Sequence, residues 1–169
     1  KLADQYHLME LHAKAEDLYI RSIQIKRKIF GPEHWITIAG INTLAFHYQN
    51  VGLLQKAEKL YLEALNLNIN SRGKIHENTA SSADYLGFIY ELMNEYKSAE
   101  KYYLMSIELR ENIYGKKATE LTDSLKQLGV LLYRDLGRFR EGEKMLLRCL
   151  DIVESKHGND SLEIIEINT

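Results

Sequence analysis

The sequence predicts an all-α fold, a right-handed α-α superhelix of about four helical hairpins. Three observations predict it: a fixed internal period, helical spacing of the apolar residues within each period, and a balance of 45% hydrophobic to 27% charged residues that suits a chain with a buried core. Glycines recur at Gly31, Gly73, Gly115 and Gly158, in steps of 42, 42 and 43 along the chain. A small residue recurs on the same step at Ala3, Ala45, Gly87 and Gly129. The pair Ala15-Glu16 returns as Ala57-Glu58 and Ala99-Glu100, and then, one position late, as Gly142-Glu143. The one extra residue of the fourth unit therefore falls between Gly129 and Gly142, within "LLYRDLG" (131–137).

The first helix of each unit carries one apolar stripe. Ile41, Leu44, Ala45 and Tyr48 form it in the second unit, Ala83, Leu86, Gly87 and Tyr90 in the third, and Leu125, Leu128, Gly129 and Leu132 in the fourth. The second helix carries another: Ala15, Tyr19, Ser22 and Ile23, then Ala57, Tyr61, Ala64 and Leu65, then Ala99, Tyr103, Ser106 and Ile107. Gly52, Asn94 and Gly137 stand where the first helix must stop, and all three tolerate a left-handed backbone. The spacing thus predicts helices near 1–9, 13–29, 34–50, 54–71, 76–92, 96–113, 118–135 and 139–156, with a last one beginning at about 160. Where the two helices of a hairpin cross, Ala45 faces Ala57 and Ala64, because close crossing excludes bulk, while Tyr48 and Tyr61 fill the flanks. The chain then reads as one array: a truncated repeat over 1–30, repeats over 31–72, 73–114 and 115–157, and the start of another over 158–169. "LEIIEI" (162–167) is still apolar, so further repeats are expected beyond it.

Composition excludes several functions. With 22 basic and 24 acidic residues the net charge is −2, too weak a field for nucleic acid or anionic lipid. No apolar run reaches the roughly 20 residues needed to cross a bilayer. Cys149 is the only cysteine, which rules out an internal disulfide and suits a cytoplasmic location; it falls in the small slot of Ser22, Ala64 and Ser106 and reads as an inert buried thiol. In "HLMELH" (7–12), His7 and His12 are five positions apart and diverge on a helix, so with Glu10 they do not make a metal site. His34, His47, His76 and His157 read as loop and surface residues. "KRK" (26–28) complements the negative end of a helix. There is no phosphate loop and no nucleophile elbow, so no catalytic residue, cofactor or metal is expected.

The spacing of Ala45, Tyr48, Gly52, Ala57, Tyr61 and Ala64 resembles the tetratricopeptide repeat, and the length of the period resembles that of kinesin light chains. "GPEHWITIAGINTLAFHYQNVGLLQKAEKLYLEAL" (31–65) carries the likeness most fully: Gly31, Glu33 and His34 match the family's loop, while Trp35 stands where the family has proline. The family's Leu-Asn-Asn-Leu-Ala survives as "INTLA" (41–45), "ADYLG" (83–87) and "LKQLG" (125–129). The resemblance implies a non-catalytic module that holds peptide segments of partner proteins in a concave groove, within a cytosolic adaptor. It also implies that Asn42 holds a peptide backbone.

The residues of each first helix that face away from the packed stripe are the candidate groove. They are Asn42, Phe46, Gln49 and Asn50 in the second unit, Asp84, Tyr85, Phe88 and Glu91 in the third, and Lys126, Gln127, Val130 and Arg134 in the fourth. Phe46, Phe88 and Val130 either anchor apolar side chains of a peptide or pack between repeats. Asp84, Asp123, Lys126 and Arg134 either face a partner or pair across neighbouring helices. The mixed signs argue against a clamp for a terminal carboxylate. Two alternatives stay open: substrate recognition for a ubiquitin ligase, implied by a weaker resemblance resting on the extra residue of the fourth unit, and a spacer or self-association array.

Overall fold

A computed structural model describes the backbone of residues 2–157 and the side chains of residues 12–156. The expected start of a last repeat over 158–169 lies outside the described residues. The described chain is helical, with no strand among the described residues, and it divides into two compact units, one ending at Arg72 and the other starting at Gly73.

The first unit holds α1 (Leu2–Phe30), α2 (Trp35–Asn50) and α3 (Leu54–Arg72). α2 and α3 form a hairpin in which Ala45, Ala57 and Ala64 are fully buried between Tyr48 and Tyr61. Its turn closes as the sequence requires: Gly52 adopts φ +78°, its N–H donates to the Gln49 carbonyl at 3.1 Å, and Leu53 N–H reaches back to Tyr48 at 2.8 Å. α1 corrects an expectation. The helices expected over 1–9 and 13–29 are one helix of 29 residues. The position that corresponds to Gly52 and Asn94 is Glu10, a residue type that disfavours the left-handed turn, so the helix runs through.

The second unit holds α4 (Glu77–Leu92), α5 (Tyr96–Tyr114), a 3₁₀ turn over Thr119–Leu121, α6 (Thr122–Val130), a π turn over Leu131–Asp135, and α7 (Phe139–His157). α4 and α5 form one hairpin, α6 and α7 the next. Ala99, Tyr103, Ile107, Leu121, Leu125, Leu128, Leu131, Leu132, Cys149 and Ile152 make one buried core. Asn94, at φ +59°, closes the first hairpin with the same two bonds as Gly52, to Glu91 at 2.9 Å and from Glu95 to Tyr90 at 2.8 Å.

The extra residue of the fourth repeat (115–157) is absorbed as the π turn. Leu136 N–H bonds Leu131 at 3.1 Å, five positions back, and Arg138 N–H reaches Leu132 at 2.8 Å, six positions back where the earlier hairpins reach five. The helix widens by one residue and still ends at a left-handed glycine, Gly137.

The starts of the first helices also repeat. His34 and His76, at equivalent positions of successive units, accept at Nδ1 from the N–H of Ile36 (3.3 Å) and Asn78 (3.0 Å), and so cap α2 and α4. Thr37 and Thr79 donate to the carbonyls of Gly31 (2.8 Å) and Gly73 (3.1 Å), tying the loop to the helix. In the fourth repeat Ala118 and Leu121 replace histidine and threonine, and the 3₁₀ turn stands there instead.

Candidate functional site

In the first unit, Asn42, Phe46 and Gln49 follow one another at helical spacing along α2, with Asn50 at its end. Phe46 is 54% exposed. Gln49 is half-buried and accepts from the Tyr61 hydroxyl at 3.4 Å. Asn42 is half-buried, and its Oδ1 is fully enclosed with no hydrogen-bond partner. An enclosed, unpaired carbonyl is unfavourable.

In the second unit, Glu77, Ser81, Asp84, Phe88 and Glu91 form one stripe of α4, at steps of four, three, four and three. Phe88 is 38% exposed and Tyr85 projects beside it. The carboxylates of this stripe bond inward. Asp84 accepts at Oδ2 from Arg110 (2.5 Å) and at Oδ1 from Ser124 of α6 (2.7 Å). Glu91 accepts from Tyr103 (3.0 Å) and from Arg134 (2.8 Å). Burial and the Glu91 carboxylate push the Tyr103 hydroxyl well above the usual tyrosine range.

Arg134 lies on the π turn and also holds Asp135 at 2.7 Å, so the extra residue of the fourth repeat sets the reach of its guanidinium across to α4. Val130 and Lys126 are half-buried on α6 and Gln127 is exposed. The structure therefore brings Glu91 and Arg134 together and joins α4 to α6 through Asp84 and Ser124. Asp84 pairs with Arg110, and Arg134 with Glu91 and Asp135.

Arg110 was not legible as a site residue. It is buried in α5, where its guanidinium bonds Glu77 (2.9 Å), Asp84, Ser106 (2.7 Å) and Ser124 (2.6 Å). Desolvation holds the Asp84 carboxyl above the usual carboxylate range, against the opposing pull of Arg110. The signal available in sequence was position: Arg110 continues the buried stripe of Tyr103, Ser106 and Ile107 by one turn, where a charge demands a partner. Its carboxylate partners, Asp84 and Glu77, stand on another helix, far from it along the chain.

A polar cluster also joins the three helices of the first unit. Tyr48 donates to Glu16 at 2.6 Å, Lys56 approaches the same carboxylate at 3.1 Å, and His47 lies against the rings of His12 (5.5 Å) and Tyr19 (5.3 Å). Cys149 is buried with its thiol toward the Thr122 carbonyl. Among the described residues no group of three or more His, Cys, Asp or Glu is placed to hold a metal, and no helix is long and apolar enough to cross a membrane.

Helical hairpins on a regular period, joined at small-residue crossings and leaving aromatic groups outward on their first helices, define a repeat protein of the protein-interaction class. Two family profiles, both described as Tetratricopeptide repeat, match the chain, one over residues 36–112 and the other over 2–36 and 121–163. The chain belongs to the tetratricopeptide-repeat family, whose members are protein-protein interaction modules. No curated protein matches it.

Among solved structures it is similar to BtubC (BKLC) from P. vanneervenii, with 22% identity and a TM-score of 0.78, covering 95% of this chain and 63% of that one. It is also similar to a putative kinesin light chain from Podosopora anserina with nearly identical TPR-like repeats. A point variant of that protein gives 17% identity and a TM-score of 0.78, and a second structure 18% and 0.77, each covering 98% of this chain and 78% of the other. At these identities the likeness is one of fold. The chain spans less than two thirds of the length of BtubC.

Proposed function

We propose that this chain is a non-catalytic module, within a cytoplasmic adaptor resembling kinesin light chain, that holds peptide segments of partner proteins along the outer faces of its first helices. The observation that carries this reading is the exposure of two aromatic side chains at equivalent positions of successive repeats, Phe46 of α2 and Phe88 of α4, 54% and 38% open to solvent. Around Phe88 the polar groups are already paired with one another, so this face is preorganised and offers apolar contact without a large reordering cost. A partner peptide with apolar anchors at a spacing of several residues suits it. The repeats over 31–72, 73–114 and 115–157 act as one array in this reading.

A pull-down from cell extract, read by mass spectrometry, tests it by comparing wild type with Phe46→Ala/Phe88→Ala at matched helicity. Partners lost together in the double variant support the reading. Partners retained in full move the binding surface to the second helices or to the loops.

A further inference from the structure

α2 presents two aromatic side chains on one outward line. Trp35, Ala39, Asn42 and Phe46 follow one another at steps of four, three and four, a spacing that keeps all four on one side of a helix. Trp35 is 55% exposed at the start of the line and Phe46 is 54% exposed near its end. Ala39 lies open between them and adds no bulk. At about 1.5 Å per residue, the steps from Trp35 to Phe46 set the two rings about 16 Å apart along the helix.

The Trp35 ring is held where it stands. Nδ1 of His34 accepts from the Ile36 N–H, which fixes the imidazole as the cap of α2, and that imidazole meets the rings of Phe30 at 5.1 Å and Trp35 at 5.9 Å. The indole therefore enters a complex with little ordering cost. The register of the repeat shows that the pair is particular to α2. Phe46 recurs as Phe88 of α4 and as Val130 of α6, whereas Trp35 corresponds to Glu77, whose carboxylate is bonded to Arg110, and to Thr119.

Charge decides what this line accepts. From Trp35 to Asn50, α2 carries no aspartate, glutamate, lysine or arginine, so a charged side chain laid between the two rings loses water and finds no counter-charge on this helix. An uncharged segment carries no such penalty. In an extended peptide, rising about 3.3 Å per residue, 16 Å is about five residues, so anchors about four to six positions apart reach both rings. Resting on the peptide-binding reading of this face, we propose that Trp35 is a second anchor-binding residue. α2 then takes an extended, uncharged peptide segment with two apolar side chains at that spacing, one set against Trp35 and the other against Phe46.

Trp35 is the only tryptophan of the chain, so its own emission reports the site. The probe is a phage-displayed library of tryptophan-free peptides of about ten residues, long enough to pass both rings, selected on the whole chain. Enriched sequences should carry two apolar residues at the stated spacing with uncharged residues between them. Titrated as synthetic peptides, they should shift the Trp35 emission saturably to shorter wavelength. Phe46→Ala should weaken that titration about tenfold or more, and Trp35→Ala should weaken the binding of a labelled peptide read by anisotropy to the same degree, both being exposed positions at which helicity should hold. A lysine or a glutamate placed between the peptide's anchors should also weaken binding. An emission unchanged at saturation, a titration unaltered by Phe46→Ala, or tighter binding of the charged peptides overturns the proposal. Where the emission is unchanged and Phe88→Ala abolishes binding, peptide recognition stands and only the role of Trp35 falls. A library that yields no binder overturns both.

Discussion

Arg110 shows what a single residue does here. Its buried side chain meets two carboxylates and two serines from three helices, whereas Arg134, 59% exposed, meets its carboxylates at the surface. The two arginines should differ sharply on removal. Arg110→Ala leaves Asp84 enclosed without its cation and should cost about 3–5 kcal/mol, while Arg134→Ala should cost about 0–1 kcal/mol, both read from urea unfolding. Lysine at 110 should not restore the loss, since one ammonium cannot span Glu77 and Asp84 as the planar fork does. A second residue-scale expectation concerns acid. The Tyr48 hydroxyl, assisted by Lys56 and His47, holds the Glu16 carboxyl below its ordinary value of 4.5, against the smaller upward push of burial. A carboxyl lowered on folding contributes stability above its unfolded value, and that contribution is lost as pH falls through the lowered folded value. Tyr48→Phe should therefore flatten the fall in urea midpoint below about pH 4.5, and an unchanged acid limb would show that the bond carries no linkage.

At the scale of elements, small residues decide how closely helices cross. A methyl group at Gly142 would stand 2.7 Å from the Gly129 carbonyl, a backbone atom unable to swing aside. Gly142→Ala should cost about 1–3 kcal/mol in thermal or urea unfolding, and a neutral result would mean that α6 and α7 separate with little resistance. The sequence carried much of this in its period: the hairpins from residue 34 onward, the fully buried alanines and the position of the inserted residue all follow from spacing. It did not carry the form of the insertion, because a π turn and a lengthened loop satisfy the same count. The break expected between residues 9 and 13 failed on Glu10, where periodicity suggested two helices and turn chemistry allowed one. Sequence alone places His34 and His76 in loops because imidazole is an uncommon cap, and only the repeated bonds to Ile36 and Asn78 reveal that role. At the candidate site, helical spacing placed Phe46 and Phe88 outward, but the ties from Asp84 to Arg110 and Ser124 depend on residues far apart in sequence.

For the whole molecule, the likeness of fold to kinesin-light-chain structures, at TM-scores of 0.77 and 0.78 and identities of only 17% and 18%, shows that pattern, more than residue identity, specifies this architecture. In such arrays each hairpin touches only its neighbours, so stability is a sum of local terms and need not be lost everywhere at once. The two units have separate sets of polar ties, Glu16 with Tyr48 and Lys56 in the first, and Arg110 with Glu77, Asp84 and Ser124 in the second. Arg110→Ala should therefore act unevenly. Native-state hydrogen exchange should show amide protection falling across α4, α5 and α6, by up to the full loss measured in unfolding, while the amides of α2 retain most of theirs. Equal loss in both units would mean that the chain opens as one cooperative body, and the local account of its stability would have to be abandoned.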